Sequence, residues 1–476
     1  MPGRTQRVDV VVVGAGTAGA NAAGQLAARG RSVALVDRRP AEAAGAQWHN
    51  GVLPWQFAAA QVEPPVPVDG SAAAPRTAHF FGPDGRHSAT VTDSPVVRAD
   101  MAGLGRRLRT RAVEAGVEIL DSSDVLDVET DWAGRLCAIE IGRSHGDGPG
   151  RRLRLEAALF VDASGRHGAL RGAAPALTPW CPDVRDEELC SAGDHEFRVG
   201  DRNGARRFLT RHGAEAGQAV TILGPAGGWS TRAVTVANDL RSAAVLVGCL
   251  ASGPRRTAPH LQASARADLP WLGEVLSGAF GVIPLRRPFA RFTAPGLALV
   301  GDAACQVFPA HGSGIGLGLM AGTMLAEGVA DADDCGDESV LWGYQYEYQR
   351  SYGGTLAAFE SLRRMSTELG TSGVRDMIRA GLMDAEAMRA GLEQRWRPPS
   401  PASVPAAALR LASVPSAAAT MVPRMVRARA LSAVGAKHPA GVDLAALERW
   451  DAKVRRLLGT LPRPSARPEQ PSRRLR

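Results

Sequence analysis

Residues 10–13 are four consecutive valines, and they set the pattern for the first part of the chain. An apolar run without alternation suits a strand covered on both faces of a parallel sheet; a strand with one wet face alternates. Small residues over 20–28 predict a helix after it, and the apolar stretch 32–36 predicts the next strand. Leu104, Leu108, Ala112 and Ala115 recur at helical spacing within 96–116, and 117–120 reads as the following strand. Strands at 125–130 and 136–141 around the turn 131–134 read as a hairpin, 144–150 as a polar glycine-rich turn, and 153–161 as a returning buried strand.

From 178 to about 292 the pattern breaks into separated strand-like pieces at 196–199, 219–223, 232–236 and 244–248. They predict a mostly antiparallel sheet inserted into the first domain. The buried-strand pattern resumes at 297–300, and a helix of small and apolar residues is expected over 315–329. The expected organisation is α/β: a first domain in two parts (1–175 and 293–335), a β-rich insert (176–292), a helical extension (336–460) and an unstructured tail (461–476). Residues 38–95, rich in Pro and Gly and carrying Trp48 and Trp55, read as a long functional or lid-like loop.

Composition changes this picture little. Of the 476 residues, 45% are hydrophobic and 22% charged, ordinary for a globular protein. The formal charge of +8 is concentrated at one end: residues 391–476 hold 16 Arg and Lys against 5 Asp and Glu, or +11, leaving −3 for the rest. A near-neutral body with a basic tail gives no argument for nucleic acid. The tail suits an acidic partner or peripheral contact with an anionic membrane surface, or is simply a solvated extension. No run approaches the ~20 apolar residues of a spanning helix. The six cysteines show neither a C-x-x-C pair nor metal-ligand spacing with His, so no metal is expected and a reducing cytoplasm is the simplest setting.

The candidate chemistry begins where the valines end. Gly14-Ala15-Gly16-Thr17-Ala18-Gly19 has the G-x-G-x-x-G spacing between strand and helix. Gly14 allows the tight turn, Gly16 lets a pyrophosphate approach the backbone, and Gly19 lets helix and strand pack closely. Asp37, closing the second strand and followed by Arg38, stands where an acid bonds a ribose hydroxyl. Strand, glycines, helix, strand and acid in order point to an adenine dinucleotide.

Two further motifs follow in order: Val161-Asp162-Ala163-Ser164-Gly165-Arg166, and Gly301-Asp302-Ala303-Ala304 with Pro309 and Gly312 to Gly318. This ordered set resembles the single-component FAD-dependent oxidoreductases, the superfamily of aromatic hydroxylases, flavin-dependent halogenases, geranylgeranyl reductases and lycopene cyclases. The resemblance covers roughly residues 8–330. It implies a Rossmann-like FAD-binding domain with an inserted β-rich substrate domain, and non-covalent FAD, although His49 could in principle attach it. It implies that Gly301 and Asp302 hold the ribityl chain, with Gly312, Ser313, Gly314 and Ile315 at the flavin pyrimidine edge. Arg98, taken as the start of a helix, would approach the cofactor, and Asp162 would support it or shape a turn. His311 is the acid/base candidate, and Cys305, where hydroxylases usually carry His, reads as buried and inert.

The expected function is oxidation of a hydrophobic or aromatic small molecule by a monooxygenase using a flavin hydroperoxide, with Trp48, Trp55, Ile283 and Pro284 on the substrate side. The alternatives are a carbon–carbon double-bond reductase like geranylgeranyl reductase, or a non-redox flavoprotein like lycopene cyclase. NAD(P)H or a reductase partner would supply electrons, since no second nucleotide fingerprint of comparable quality appears.

Halogenases of this superfamily carry an N-terminal-domain lysine and a Trp-x-Trp-x-Ile-Pro run. Here the only lysines are Lys437 and Lys453, and only Ile283-Pro284 of the run remains. The expected outcome with halide and reduced FAD is therefore no chlorinated or brominated product by mass spectrometry.

Overall fold

The computed structural model describes residues 4–65, 77–143, 152–252, 257–397 and 404–461. The expected turn at 144–150 and the tail from 462 lie outside them. The four valines close β1 (Arg4–Val13), the centre of the first sheet, and are buried as their lack of alternation requires. Parallel neighbours are β2 (Val33–Val36) and then β7 (Glu118–Leu120) on one side, and β10 (Leu153–Asp162) and then β17 (Leu297–Leu299) on the other. An antiparallel edge, β16 (Thr293–Ala294), and the hairpin of β8 (Ser123–Thr130) and β9 (Leu136–Arg143) complete this sheet.

Two helices enter the same cleft from different parts of the chain. α1 (Thr17–Ala27) follows β1, and α6 (Ile315–Gly328) follows the third motif. They cross on small residues. A Cβ at Gly318 would lie 3.1 Å from that of Ala18, and one at Gly322 3.1 Å from Ala22. Asn21 locks the crossing by donating from Nδ2 to the Leu319 carbonyl at 2.8 Å.

The second sheet, in the order β15 (Leu272–Pro284), β11 (Leu189–Val199), β14 (Ser242–Leu250), β13 (Ser230–Val236), β12 (Ala219–Leu223), β4 (Ala78–Phe81) and β5 (Ser88–Val91), takes its strands from two places. β11 to β15 form the expected antiparallel insert. β4 and β5 come from the stretch expected to be a loop, and β4 joins β12 in parallel. Two more elements lie in that stretch: β3 (His49–Val52), paired with β6 (Val97–Asp100), and α2 (Pro54–Ala59). Short strands broken by Pro and Gly carry too few positions for periodicity to reveal. α4 (Arg202–Arg211) and α5 (Ala258–Asp268) cover one face of the sheet around Phe197, Val245 and Val247. The other face looks toward the first domain.

The helix expected over 96–116 starts later. Asp100 caps α3 (Met101–Glu114) by accepting from the Ala102 and Gly103 N–H groups, which places Arg98 on a strand. β-branched Val96 and Val97 before an Asp cap explain the shift.

As far as residue 461, the basic C-terminal segment is not a loose extension among the described residues. α7 (Glu338–Tyr348), α8 (Gly354–Arg379), α9 (Ala385–Leu392), α10 (Val404–Ala412), α11 (Pro415–Gly435) and α12 (Leu444–Leu458) form a helical layer. Trp342, Ala357, Leu431, Leu447, Trp450 and Val454 share one buried cluster, and Arg287 pairs with Asp451 behind it. Arg424 reaches inward to Glu368 and to the Leu458 carbonyl. Much of the basic charge thus lies on outer faces of helices whose inner faces are core. Trp450 is buried and donates from Nε1 to the Val434 carbonyl at 2.9 Å. Trp450→Ala is expected to cost about 3–5 kcal/mol in denaturant unfolding, and truncation after Arg397 to abolish the cooperative transition.

Candidate functional site

The site is built where the two motif helices begin. Gly14, at φ +109°, makes the turn out of β1; a Cβ there would lie 2.3 Å from the Ala163 carbonyl oxygen. A Cβ at Gly19 would fall 1.8 Å from the Gly14 oxygen, so close helix–strand packing is what this glycine permits. Gly16 and Gly45 pass face to face, with a Cβ on Gly45 only 3.2 Å from the Gly16 Cα. α1 starts on Gly16 and α6 on Gly314, neither with a side-chain cap, so the first N–H groups of both helices remain available to an anion or carbonyl. Thr17, Ala18 and Ile315 stand in those first turns.

Asp37 is buried at the end of β2. Its Oδ2 accepts from the Ala15 N–H at 2.7 Å and its Oδ1 from the Arg39 N–H at 2.9 Å, which leaves lone pairs for a diol. Arg38 lies exposed just beyond it. Arg109, buried beneath the glycine turn, donates to the carbonyls of Ala15 and Ala44, and no sequence pattern had marked it.

The third motif is the most informative part. Gly301 takes φ +69° and packs against Ala18, so the first and third motifs touch. Asp302 receives no hydrogen bond to its carboxylate among the described residues, and desolvation pushes its pKa up to about 6. Its Oδ1 lies 3.1 Å from where a Cβ on Gly314 would be. A recessed carboxylate without a partner, beside an uncapped helix, suits a polyhydroxyl ligand. Cys305 follows in the left-handed region at φ +57°, buried as expected, with its thiol pushed up to about 12 by burial.

Asp162 is spent on structure. Its Oδ1 accepts from the N–H and Oγ–H of Ser164, and its Oδ2 from the N–H groups of Leu170 and Arg171, which occupies all four lone-pair positions. Of its two expected roles, the turn-shaping one matches this geometry.

The loop after Phe308 then meets the second sheet. Ser313 donates from Oγ to the Gly51 carbonyl at 2.9 Å, and a Cβ on Gly312 (φ +76°) would touch Leu285 and Ile283. Trp229 donates from Nε1 to the Ala310 carbonyl at 2.7 Å. Sequence reasoning missed this contact, whose one signal is a Trp in the glycine-rich turn before β13. His311 lies against Phe308, ring centroids 4.7 Å apart, and is bonded to the backbone of Gly391. Solvent still reaches the ring, but surrounding protein pushes its pKa down to about 4, so it is neutral at pH 7.

The facing side of the second sheet has a floor of small residues. Cross-strand register places Ala279, Asp194, Leu246 and Ala233 in one row, Gly281, Ala192, Gly248 and Thr231 in the next, and Ile283, Cys190 and Leu250 in the third. The third row meets the Gly312 loop. Beside the first row lies a cavity of about 160 Å³ lined by His49, Val96, Arg98, Asp194, Thr235 and Leu246. Arg98 Nη2 pairs there with Asp194 at 3.4 Å, while desolvation raises the Asp194 pKa and lowers that of His49. Trp48 and Trp55 part company. Trp48 lies over Gly281, whereas Trp55 stacks on Tyr352 (6.4 Å) under Arg395, in the C-terminal layer. Pro284 is buried and ends β15 beside Ile283.

The family model described as FAD dependent oxidoreductase matches residues 9–62, the span of the first glycine turn, Asp37 and Trp48. The chain carries an FAD-dependent oxidoreductase domain over these residues. Across its length this flavoenzyme is 26% identical over 402 residues to digeranylgeranylglycerophospholipid reductase 2 of Methanothermobacter thermautotrophicus, covering 79% of this chain and 91% of that one. Its fold is that of a geranylgeranyl bacteriochlorophyll reductase-like protein of Thermoplasma acidophilum (TM-score 0.67, 17% identity, 87% and 98% covered). PqsL of Pseudomonas aeruginosa, described as "a probable FAD-dependent monooxygenase", shares it less closely (TM-score 0.53, 19% identity, 79% and 100% covered).

The residues present fit FAD: two uncapped helix starts, Asp37 with free lone pairs, and Asp302 unpartnered beside Gly314. Because the Asp302 pKa stands above its unfolded value, this carboxylate destabilises the flavin-free fold as pH rises from about 4 through about 6. Asp302→Asn is expected to stabilise the flavin-free protein at pH 7, with the gain vanishing below pH ~4, in denaturant titrations. The same variant is expected to bind FAD about 10- to 100-fold more weakly.

Proposed function

We propose that the enzyme reduces carbon–carbon double bonds in a long unsaturated hydrocarbon chain, the alternative weighed from its sequence beside oxygen transfer. The observation that carries this reading is the small-residue floor of the second sheet. Ala279, Gly281, Ala192, Gly248 and Ala233 carry at most a methyl group each and leave a shallow trough that leads to the loop at Gly312, with Asp194 and Arg98 paired at its far end. A flat, extended apolar ligand suits such a floor better than a compact aromatic one, which would need a deep pocket. The long match to reductases of geranylgeranyl chains supports the same substrate class.

Bound FAD supplies hydride equivalents. The protein's part is holding and shielding. The α1 N-terminus would hold the pyrophosphate, Asp37 a ribose diol, Asp302 a ribityl hydroxyl, and the first N–H groups of α6 the pyrimidine edge. Ile283, Leu285 and Trp229 close around the loop and keep water from the reacting end of the trough. His311, neutral at pH 7 and reachable by solvent, would relay a proton to the substrate carbon opposite the hydride. The electron donor in this proposal is NAD(P)H or a reductase partner.

The dry wall of Trp48, Trp229 and Ile283 favours a second reading, oxygen transfer, because oxygenated flavins also require water to be excluded. Product mass separates the two. With geranylgeraniol and a reductant, the expected product is heavier by two hydrogens and forms equally well without oxygen. A product heavier by one oxygen, labelled from 18O2, would give the case to the monooxygenase.

A further inference from the structure

The trough is interrupted at its middle row. A Cβ built on Gly281 would lie 2.2 Å from Cη2 of Trp48 and 3.1 Å from both neighbouring ring carbons. The indole therefore rests directly on the bare backbone of β15, a fit that only glycine allows. Trp48 itself belongs to the first domain: its carbonyl accepts from the Met101 N–H at 3.2 Å, and β3 follows it at once. Held at that end, the ring reaches across the interface between the two sheets. The rows on either side differ. One carries Ile283 against Gly312 at the motif loop, and the other opens into the cavity of Arg98, Asp194 and Leu246.

We propose that Trp48 is the specificity-determining stop of the trough, limiting how far a hydrocarbon chain extends from the Gly312 loop toward the Arg98–Asp194 cavity. The inference rests on the hydrocarbon-chain reading above. A ring seated edge-on across a channel presents a rigid apolar end, so chain atoms up to it gain contact and further atoms must turn away. The cavity beyond has a volume of about 160 Å³, room for a further chain segment once the ring is gone. Its ion pair is a weak single contact at 3.4 Å, flanked by Val96, Ala233 and Leu246.

The test uses the FAD-loaded enzyme with oxidised flavin and linear prenyl alcohols of increasing length: geraniol, farnesol, geranylgeraniol and geranylfarnesol. Calorimetric affinity of the wild type should rise with length and then level off. Trp48→Ala should remove the plateau and bind the longest alcohol roughly tenfold more tightly than the wild type does. Trp48→Phe should keep it. The decisive arm is Trp48→Ala with Gly281→Phe, which puts an aromatic ring in the same space from the opposite wall and should restore the plateau. A merely structural role for Trp48 predicts no such rescue. Flavin absorbance per protein, unchanged in all variants, shows that each is folded. An unchanged length profile in Trp48→Ala, or a double variant that behaves like it, would overturn the stop alone. Failure of every alcohol to bind wild type and variants alike would overturn the hydrocarbon reading and the stop together.

Discussion

The close crossing of α1 and α6 is the constraint on which the rest of the molecule depends. Two helices separated by some three hundred residues of chain can approach so nearly only because Ala18, Ala22, Gly318 and Gly322 present almost no side chain. Larger residues would push the axes apart, and the two helix starts would no longer open into one cleft. The crossing also fixes the loop ahead of α6, because Gly301 leans on the same Ala18. Asp302 is held in place by that backbone and receives no hydrogen bond from a side chain, so it stays unsatisfied in the fold and available to a ligand.

A second consequence is a division of labour between the sheets. The parallel sheet and its helices position polar groups, while the antiparallel sheet offers mainly shape. Side chains that join them include Arg98 to Asp194, Trp229 to Ala310, and Trp48 onto Gly281. The C-terminal layer closes the back of the site. Phe359 links Phe308 to Trp396, Gln394 bonds Gln56, and Gly391 meets His311. The described part of the basic segment is thereby part of the scaffold.

Much of this was legible in the sequence where one local rule sufficed. Four valines meant a doubly covered strand, the glycine spacing meant a tight turn into a helix, and 219–223 was read with its observed limits. The candidate residues at 14–19, 37 and 301–315, which the fold brings to one cleft, could be read because each motif is contiguous. What escaped depends on partners distant in the chain. Nothing near residues 78–91 says that they pair with β12, and nothing in Trp229 names the carbonyl it meets. Arg98 looked like a helix start because its neighbours have helical spacing, and the Asp100 cap decided otherwise. The tail was judged by net charge, although burial is decided by which face carries Leu431, Leu447 and Trp450.

That β4 lies in the second sheet sets an order of events during synthesis. Its partner β12 begins at Ala219, 138 positions after Phe81 ends β4. At about 5–20 residues per second, the ribosome leaves the β4–β5 hairpin without its neighbour for roughly 7–28 s. Phe80 and Phe81 wait on that hairpin, and β4 presents an open edge to any strand that arrives first. The second sheet cannot close by successive hairpins alone; its parallel seam forms only after the nucleotide-binding strands β7 to β10 have emerged between its two halves. Assembly of the trough is in this sense the late act of folding, and the earliest strand it needs is the one that spends longest unprotected.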